Sequence, residues 1–283
     1  MRRVLNLFKL RIGVAIAFAA AAGLAVERGS APPAASALVL VLAVLVASAA
    51  AGAFNQYAER DLDARMGRTR NRPFVTGALK HGAFWLWVIG AMLFASVLAA
   101  AVATNALAAA YVFLGAFTYG VVYTVWLKRR TWWNIVVGGL AGSFAVLAGA
   151  AAVSPEPGPE ALWLAVVLFL WTPPHFWSLA IVCREDYAAA GVPMLPVVVG
   201  DARAARTIFA SAALLVAASL VPAAFGLGWI YLAAAAAGGL HFLLRCHALV
   251  RRPGRDTARA AFLASLAQLG AVLAGAMLDV ALV

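Results

Sequence analysis

Apolar stretches of about twenty residues recur along the whole chain, and they constrain its fold more than any other feature. A helix of that length crosses roughly 30 Å of hydrocarbon while satisfying its own backbone hydrogen bonds. Charges, prolines and glycines delimit nine such spans, near residues 12–26, 36–58, 84–103, 106–127, 134–153, 160–182, 207–225, 229–246 and 260–280. The third and fourth are divided only by Thr104-Asn105, and the seventh and eighth only by Gly226-Leu227-Gly228. With 65% of the 283 residues apolar and 12% charged, no length remains for a large soluble domain. The expectation is an all-α, polytopic membrane protein, one integral-membrane domain over residues 1–283 with about nine transmembrane helices around a central cavity.

The net charge of +11 would suggest a nucleic-acid partner in a soluble protein. Placement gives it another meaning here. The connections 2–11, 60–80, 128–130, 184–206 and 245–259 carry 21 of the 22 basic residues, and the connections between them carry only Arg28. Basic loops mark the cytoplasmic side. The expected topology places the N-terminus and the long loops in the cytoplasm and the C-terminus outside, in a bacterial-type plasma membrane. The lipid bilayer is then the expected partner, and nucleic acid is not. The opening Met-Arg-Arg resembles a signal peptide, but the apolar run carries Lys9 and Arg11 and reaches Val26 without a compelling cleavage site, so it reads as a retained span. Cys183 and Cys246 belong to no metal-ligand or disulfide pattern.

Two long polar loops, 59–83 and 183–206, follow the second and sixth spans and are expected to face each other across the cavity. Before the first, Asn55, Glu59 and Asp63 stand at i, i+4 and i+8, which on a continuous helix turns each about 40° from the last. An amide and two carboxylates on one water-accessible face suit Mg²⁺, a hard ion that takes few protein oxygens and completes its shell with water and phosphate. Asp61 points about 200° away from Glu59. The same stretch also reads as a solvated helix of ion pairs among Arg60, Asp61, Asp63 and Arg65. Arg65, Arg68 and Arg72 follow at spacings of three and four, and guanidinium groups bind phosphate bidentately. Topological charge explains them equally well.

The second loop supplies Arg184, Glu185 and Asp186, the two carboxylates being candidates for a second Mg²⁺. Before it, the sixth span contains Trp171-Thr172-Pro173-Pro174-His175-Phe176-Trp177, where paired prolines are expected to kink the helix around His175. That histidine reads either as a hydrogen-bonded helix contact or as a catalytic or haem-iron ligand. Between the fourth and fifth spans, Tyr123, Lys128, Arg129 and Asn134 form another candidate cluster for phosphate or a propionate. A positive-inside anchor with an aromatic belt is the alternative. Gly138-Gly139, Gly142 and Gly149 suggest either close helix packing or room for a bulky ligand.

Together these residues resemble the UbiA superfamily of intramembrane prenyltransferases, and within it the protohaem IX farnesyltransferase (haem O synthase) family. The family pattern Asn-x3-Asp-x-Asp-x-Asp-x2-Met-x-Arg-Thr-x2-Arg-Pro is similar to 55–73, and Tyr-x4-Lys-Arg-x-Thr-x2-Asn is similar to 123–134. Thr-Pro-Pro-His-Phe-Trp and Asp-Tyr-x2-Ala-Gly-x-Pro-Met-Leu-Pro match 172–177 and 186–196. Three departures stand out. Glu59 replaces an Asp, Ala145-Val146 and Gly149-Ala150 stand where a Pro-Pro pair and Gly-Trp are usual, and the wider superfamily's second acidic pair falls on Cys183 and Tyr187.

The resemblance implies transfer of a farnesyl group from farnesyl diphosphate to a vinyl group of haem b, with water added, giving haem O. It implies Asn55, Glu59, Asp63, Glu185 and Asp186 as Mg²⁺ ligands and Asn55, Glu59, Asp63, Asp186 and Lys128 as catalytic residues. Arg65, Arg68, Arg72, Lys128, Arg129, Arg184, His175, Tyr123 and Asn134 would contact diphosphate or haem. A haem A synthase or terminal oxidase assembly would receive the product. The alternatives are a related prenyltransferase for an aromatic or quinone precursor, and a membrane transporter.

Overall fold

The computed structural model describes residues 6–282; Arg2 and Arg3, counted above among the basic residues, lie outside them. Nine long apolar helices make up the fold: α1 Leu10–Val26, α2 Ala34–Ala58, α3 Ala83–Ala103, α4 Ala106–Leu127, α5 Asn134–Ala151, α6 Pro159–Val182, α7 Asp201–Phe225, α8 Trp229–Arg251 and α9 Arg255–Leu282. Eight are at least 18 residues long, and α1 has 17. They match the expected spans to within two residues at each end, α5 ending two residues early at Ala151, except that α7, α8 and α9 run five or six residues further towards the basic loops.

The two boundaries with little sequence separation are fixed by side-chain caps. Asn105 accepts from the Ala108 amide at 2.9 Å and donates to Ala151 O at 2.7 Å, so it starts α4 and ties it to α5. Between α7 and α8, Gly226 has φ +131°, a value that favours glycine. The buried Asp279 of α9 then accepts from the amides of Gly228, Ile230 and Tyr231, placing a carboxylate at the start of α8.

Neighbours in sequence pack together, and α1, α5, α6 and α9 join the two ends of the chain: α1 packs on α2, α5 and α9, and α6 packs on α5, α7 and α9. Small residues permit the closest approach. A Cβ on Gly149 would overlap the Ala20 carbonyl, and one on Gly23 would overlap the Val146 carbonyl, so the α1–α5 backbones meet directly. Gly149 therefore serves packing, as does Gly138 against the Tyr123 ring. The Ala145-Val146 segment, where the resemblance fails, is buried against α1. On the other side, Trp87 and Val102 of α3 are each 80% exposed, an apolar face suited to lipid.

The α6 helix continues through Pro173-Pro174 as one element. Prolines lack the N–H that would reach the carbonyls of Phe169 and Leu170. Gly139 interrupts α5 beside this place, where its ideal Cβ would lie 3.1 Å from Phe169 O.

Candidate active site

The helix ends on the basic side build a polar cluster under the 59–83 loop. At Glu59 the α2 geometry breaks, with φ −100° and ψ 15°, and a short helix Arg60–Arg65 follows. The break does not scatter the expected face. Glu59 N–H donates to Asn55 O and Asp63 N–H donates to Glu59 O, so the three side chains stay in register. All three are at most 2% exposed.

Each carries a cationic partner. Both Glu59 carboxylate oxygens accept from Lys128 Nζ, at 2.6 and 2.5 Å, in a buried ion pair. Asp63 Oδ2 accepts from Arg72 Nη1 at 2.6 Å. Asn55 Oδ1 accepts from Lys9 Nζ at 2.6 Å, and its amide donates to Thr124 Oγ1 at 2.9 Å. Burial holds the Asp63 carboxyl above its ordinary range, against the opposing pull of Arg72. Asp61 faces elsewhere, in a bidentate pair with Arg129 at 2.8 Å per bond, and the hydrogen bonds from Arg129 lower its pKa. Arg60 and Arg65, the ion-pair partners expected from the sequence, are both exposed.

Lys128 reaches Glu59 because the second half of α4 is not α-helical. Thr118–Leu127 is a ten-residue π-helix, and Lys128 N–H bonds back to Tyr123 O, five residues earlier. On an α-helix, residues nine apart point to opposite sides. The wider winding takes nine residues in about two turns, bringing Tyr119, Tyr123 and Lys128 to one face. The two tyrosine rings stack at 5.6 Å and 11°, with Lys9 Nζ and Lys128 Nζ each 5.6 Å from the nearer ring centroid.

Lys9 is the residue that sequence reasoning missed, counting it only as topological charge. It is the one non-glycine residue with positive φ among the described residues, at φ 48° and ψ 42°, immediately before α1. That conformation costs on the order of 1 kcal/mol and aims the ammonium at Asn55 and Tyr119 OH, the latter 3.0 Å away. Burial, with Arg72 and Lys128 pushing the same way, pulls its pKa down to about 7. A cavity of about 720 Å³ opens beside it, lined by Lys9, Gln56, Arg68, Asn71, Arg72 and Thr76 among others. A Lys-x-Arg pair at the start of an apolar span was the only available signal.

The second loop closes over the first. Asp186 accepts from the backbone amides of Gly67 and Arg68 at 2.8 and 3.3 Å, so it fixes the turn that presents the Arg68 side chain. Tyr187 is buried beneath it, its pKa pushed up to about 12 by burial. Other candidates stand apart. Glu185 is exposed, Arg184 lies 3.4 Å from Asp201, Asn134 turns back to Thr131 O, and His175 bonds to Ser265 between α6 and α9.

Comparison with known proteins identifies the family and the fold. The model of the UbiA prenyltransferase family matches residues 15–267. The chain is 56% identical over 274 residues to Protoheme IX farnesyltransferase 2 of Paramagnetospirillum magneticum, covering 97% of this chain and 95% of that protein. It is 41% identical to Protoheme IX farnesyltransferase of Hyphomonas neptunium, over 97% of this chain and 90% of the relative. A solved UbiA homologue from Archaeoglobus fulgidus, bound to DMAPP and Mg²⁺, superposes with a TM-score of 0.78 at 16% identity, covering 99% of this chain and 100% of that one. The apo UbiA homologue from Aeropyrum pernix K1 gives 0.72 at 21%, over 95% and 98%. At those identities the likeness concerns the fold. The helical bundle, the register of Asn55, Glu59 and Asp63, and a family match spanning most of the sequence lead to one conclusion: the chain belongs to the UbiA prenyltransferase family.

Proposed function

We propose that this single integral-membrane domain transfers the farnesyl group of farnesyl diphosphate to a vinyl group of haem b, releasing diphosphate and adding water to give haem O. The observation that carries this reading is the 56% identity, across nearly the full length of both chains, to a relative named for that activity.

The residues present fit a magnesium ion that arrives with the diphosphate. Among the described residues no three His, Cys, Asp or Glu side chains cluster closely enough to enclose a metal alone. Mg²⁺ is ordinarily held by one or two carboxylates together with substrate phosphates. Asn55, Glu59 and Asp63 would hold it, with Glu185 and Asp186 as further candidates on the facing loop. When bound, it supplies Lewis-acid stabilisation to the departing diphosphate.

The chain's own groups do the rest. Arg72 and Lys128, now neutralised by Asp63 and Glu59, turn to phosphate oxygens, joined by Lys9 and by Arg68 on its Asp186-fixed turn. These cations stabilise the negative charge that grows as the allylic C–O bond ionises. The stacked faces of Tyr119 and Tyr123 shield the allylic cation. The vinyl carbon attacks that cation, water captures the resulting carbocation beside the porphyrin, and a proton is released. Arg65, Arg129, Arg184 and Asn134 complete the candidate contacts to diphosphate or propionate.

The 21-to-1 distribution of basic residues supports a cytoplasmic N-terminus and active site and an external C-terminus, in a bacterial-type plasma membrane. Haem O would pass to a haem A synthase or a terminal oxidase assembly. The test offers purified protein farnesyl diphosphate with haem b and an aromatic carboxylate acceptor together, and identifies products by mass spectrometry. Haem O as the farnesylated product is expected. A prenylated aromatic in its place would move the reading to the related prenyltransferases, and substrate movement without a covalent product would move it to a transporter.

A further inference from the structure

The cations of the site are seated on the very oxygens that a metal would use. Asn55, Glu59 and Asp63 offer five side-chain oxygens, one from the amide and two from each carboxylate, and four of them accept from Lys9, Lys128 or Arg72. Among the described residues only Asp63 Oδ1 has no such bond. Two carboxylates facing three cationic groups leave no net negative charge. Arg68, a fourth cation at the cavity, is offset by Asp186, which accepts from its backbone amide. A dication arriving alone would break these pairs and leave buried cations without partners.

Lys9 differs from the other two cations. Lys128 and Arg72 each neutralise a carboxylate, whereas Lys9 Nζ lies 2.6 Å from the neutral amide oxygen of Asn55 and 3.0 Å from Tyr119 OH. Both ends of that amide are fixed. An ammonium only donates, so it requires Oδ1. Thr124 spends its single hydroxyl proton on Tyr119 O, so it accepts from Asn55 Nδ2. The lysine stem is seated as well, along α2 at Gly52, whose ideal Cβ would stand 3.4 Å from Lys9 Cβ and 3.5 Å from Cδ. An ammonium and a dication sharing one amide oxygen repel at close range. Lys9 must therefore leave Asn55 before that oxygen can serve a metal, and its charge then needs a new acceptor. The cavity of about 720 Å³ that Lys9, Arg68 and Arg72 line gives such an acceptor room.

We propose that Lys9 is a specificity-determining residue, a tethered cation that competes with the metal for Asn55 and makes the site accept divalent metal only together with a diphosphate. The proposal rests on the reading of Asn55, Glu59 and Asp63 as metal ligands and is independent of the prenyl acceptor. A diphosphate ester has oxygens enough to take all three displaced cations and still bind a metal; a monophosphate ester does not. Free metal is refused because nothing receives the cations. Diphosphate alone is disfavoured in turn, because Lys128 and Arg72 would leave Glu59 and Asp63 buried without partners. Each ligand therefore raises the affinity of the other by the same factor.

The test dialyses full-length purified protein to equilibrium against Mn²⁺, used in place of Mg²⁺, with inorganic diphosphate, orthophosphate or neither, and measures the metal retained against a protein-free chamber. The wild-type protein is expected to bind Mn²⁺ on the order of 100-fold more tightly with diphosphate than alone, and orthophosphate to give only a small part of that gain. Folded Lys9→Met is expected to bind free Mn²⁺ about tenfold more tightly than the wild type, its coupling to diphosphate shrinking by a similar factor. Lys9→Arg, which keeps the cation, is expected to refuse free metal as the wild type does. A merely structural lysine would give no gain of metal affinity on removal. Wild-type protein that bound Mn²⁺ equally well with and without diphosphate, or folded Lys9→Met with unchanged or weaker affinity for free Mn²⁺, would overturn the proposal while leaving the metal ligands and prenyl transfer standing. Protein that retained no Mn²⁺ under any of the three conditions, or retained it undiminished in Asp63→Asn, would remove the ligand set itself and the proposal with it.

Discussion

Removing Lys128 should unbalance the most buried charge of the site. Its ammonium makes two bonds of 2.5–2.6 Å to Glu59, and the two side chains are 9% and 2% exposed. At an effective dielectric near 20, unit charges about 3 Å apart attract by roughly 5 kcal/mol, most of which offsets the cost of taking both out of water. Lys128→Met leaves Glu59 with that cost and without its partner, so the expected loss is about 3–5 kcal/mol, limited by protonation of the carboxyl. Glu59→Gln strands the ammonium and should cost a similar amount. The double variant buries no uncompensated charge, so the two losses should fall short of additivity by about 2–3 kcal/mol. Denaturant-titrated unfolding of the four proteins in one detergent gives the cycle, and farnesyl transfer is measured in parallel. Activity should stay lost in the double variant, because phosphate still lacks Lys128. Losses that add within about 0.5 kcal/mol would refute the pairing, and recovered activity would refute its role in phosphate binding.

Other consequences are equally specific. Asp63→Asn should abolish turnover by weakening metal-assisted diphosphate binding while freeing Arg72; near-normal haem O output from the folded variant would contradict the ligand assignment. Gly149→Ala drives a methyl into the Ala20 carbonyl and should cost about 3 kcal/mol. Gly142→Ala meets only Leu168 side-chain atoms at 3.6 Å or beyond and should be neutral or stabilising by about 0.5–1 kcal/mol; equal Tm values for the two would count against the helix crossing. Lys9, with its pKa near 7, is protonated below that pH and loses its proton above it. The KM for farnesyl diphosphate should therefore be flat below pH 7 and rise above it, and a Lys9→Arg variant, charged throughout, should lack the rise.

Much of the fold was legible because the membrane imposes it. A span must be apolar for about twenty residues, so the apolar runs alone locate the helices. The carboxylate face was legible for a similar reason, since Asn55, Glu59 and Asp63 sit at helical spacing and the break at Glu59 preserves the i to i+4 bonds. Sequence periodicity could not give the π-helical winding of Thr118–Leu127. An α-helical reading turns Lys128 away from Tyr119, and nothing in TYGVVYTVWL announces five-residue hydrogen bonding. Lys9 escaped for another reason. Its role depends on a left-handed backbone and on partners 46 and 110 residues away, Asn55 and Tyr119. Gly149 was ambiguous between packing and ligand space until α1 was in place, because a stripe of small residues serves either.

The buried face of Asn55, Glu59 and Asp63 is proposed to receive a prenyl diphosphate with a divalent metal and to deliver its farnesyl group to haem. Incubating purified protein with haem b, farnesyl diphosphate and Mg²⁺, with and without EDTA, tests it most directly. The expected result is a haem product with the mass of haem O that disappears with EDTA and returns when Mg²⁺ is restored in excess. Haem b recovered unchanged from folded protein, or haem O formed equally well in EDTA, would contradict it.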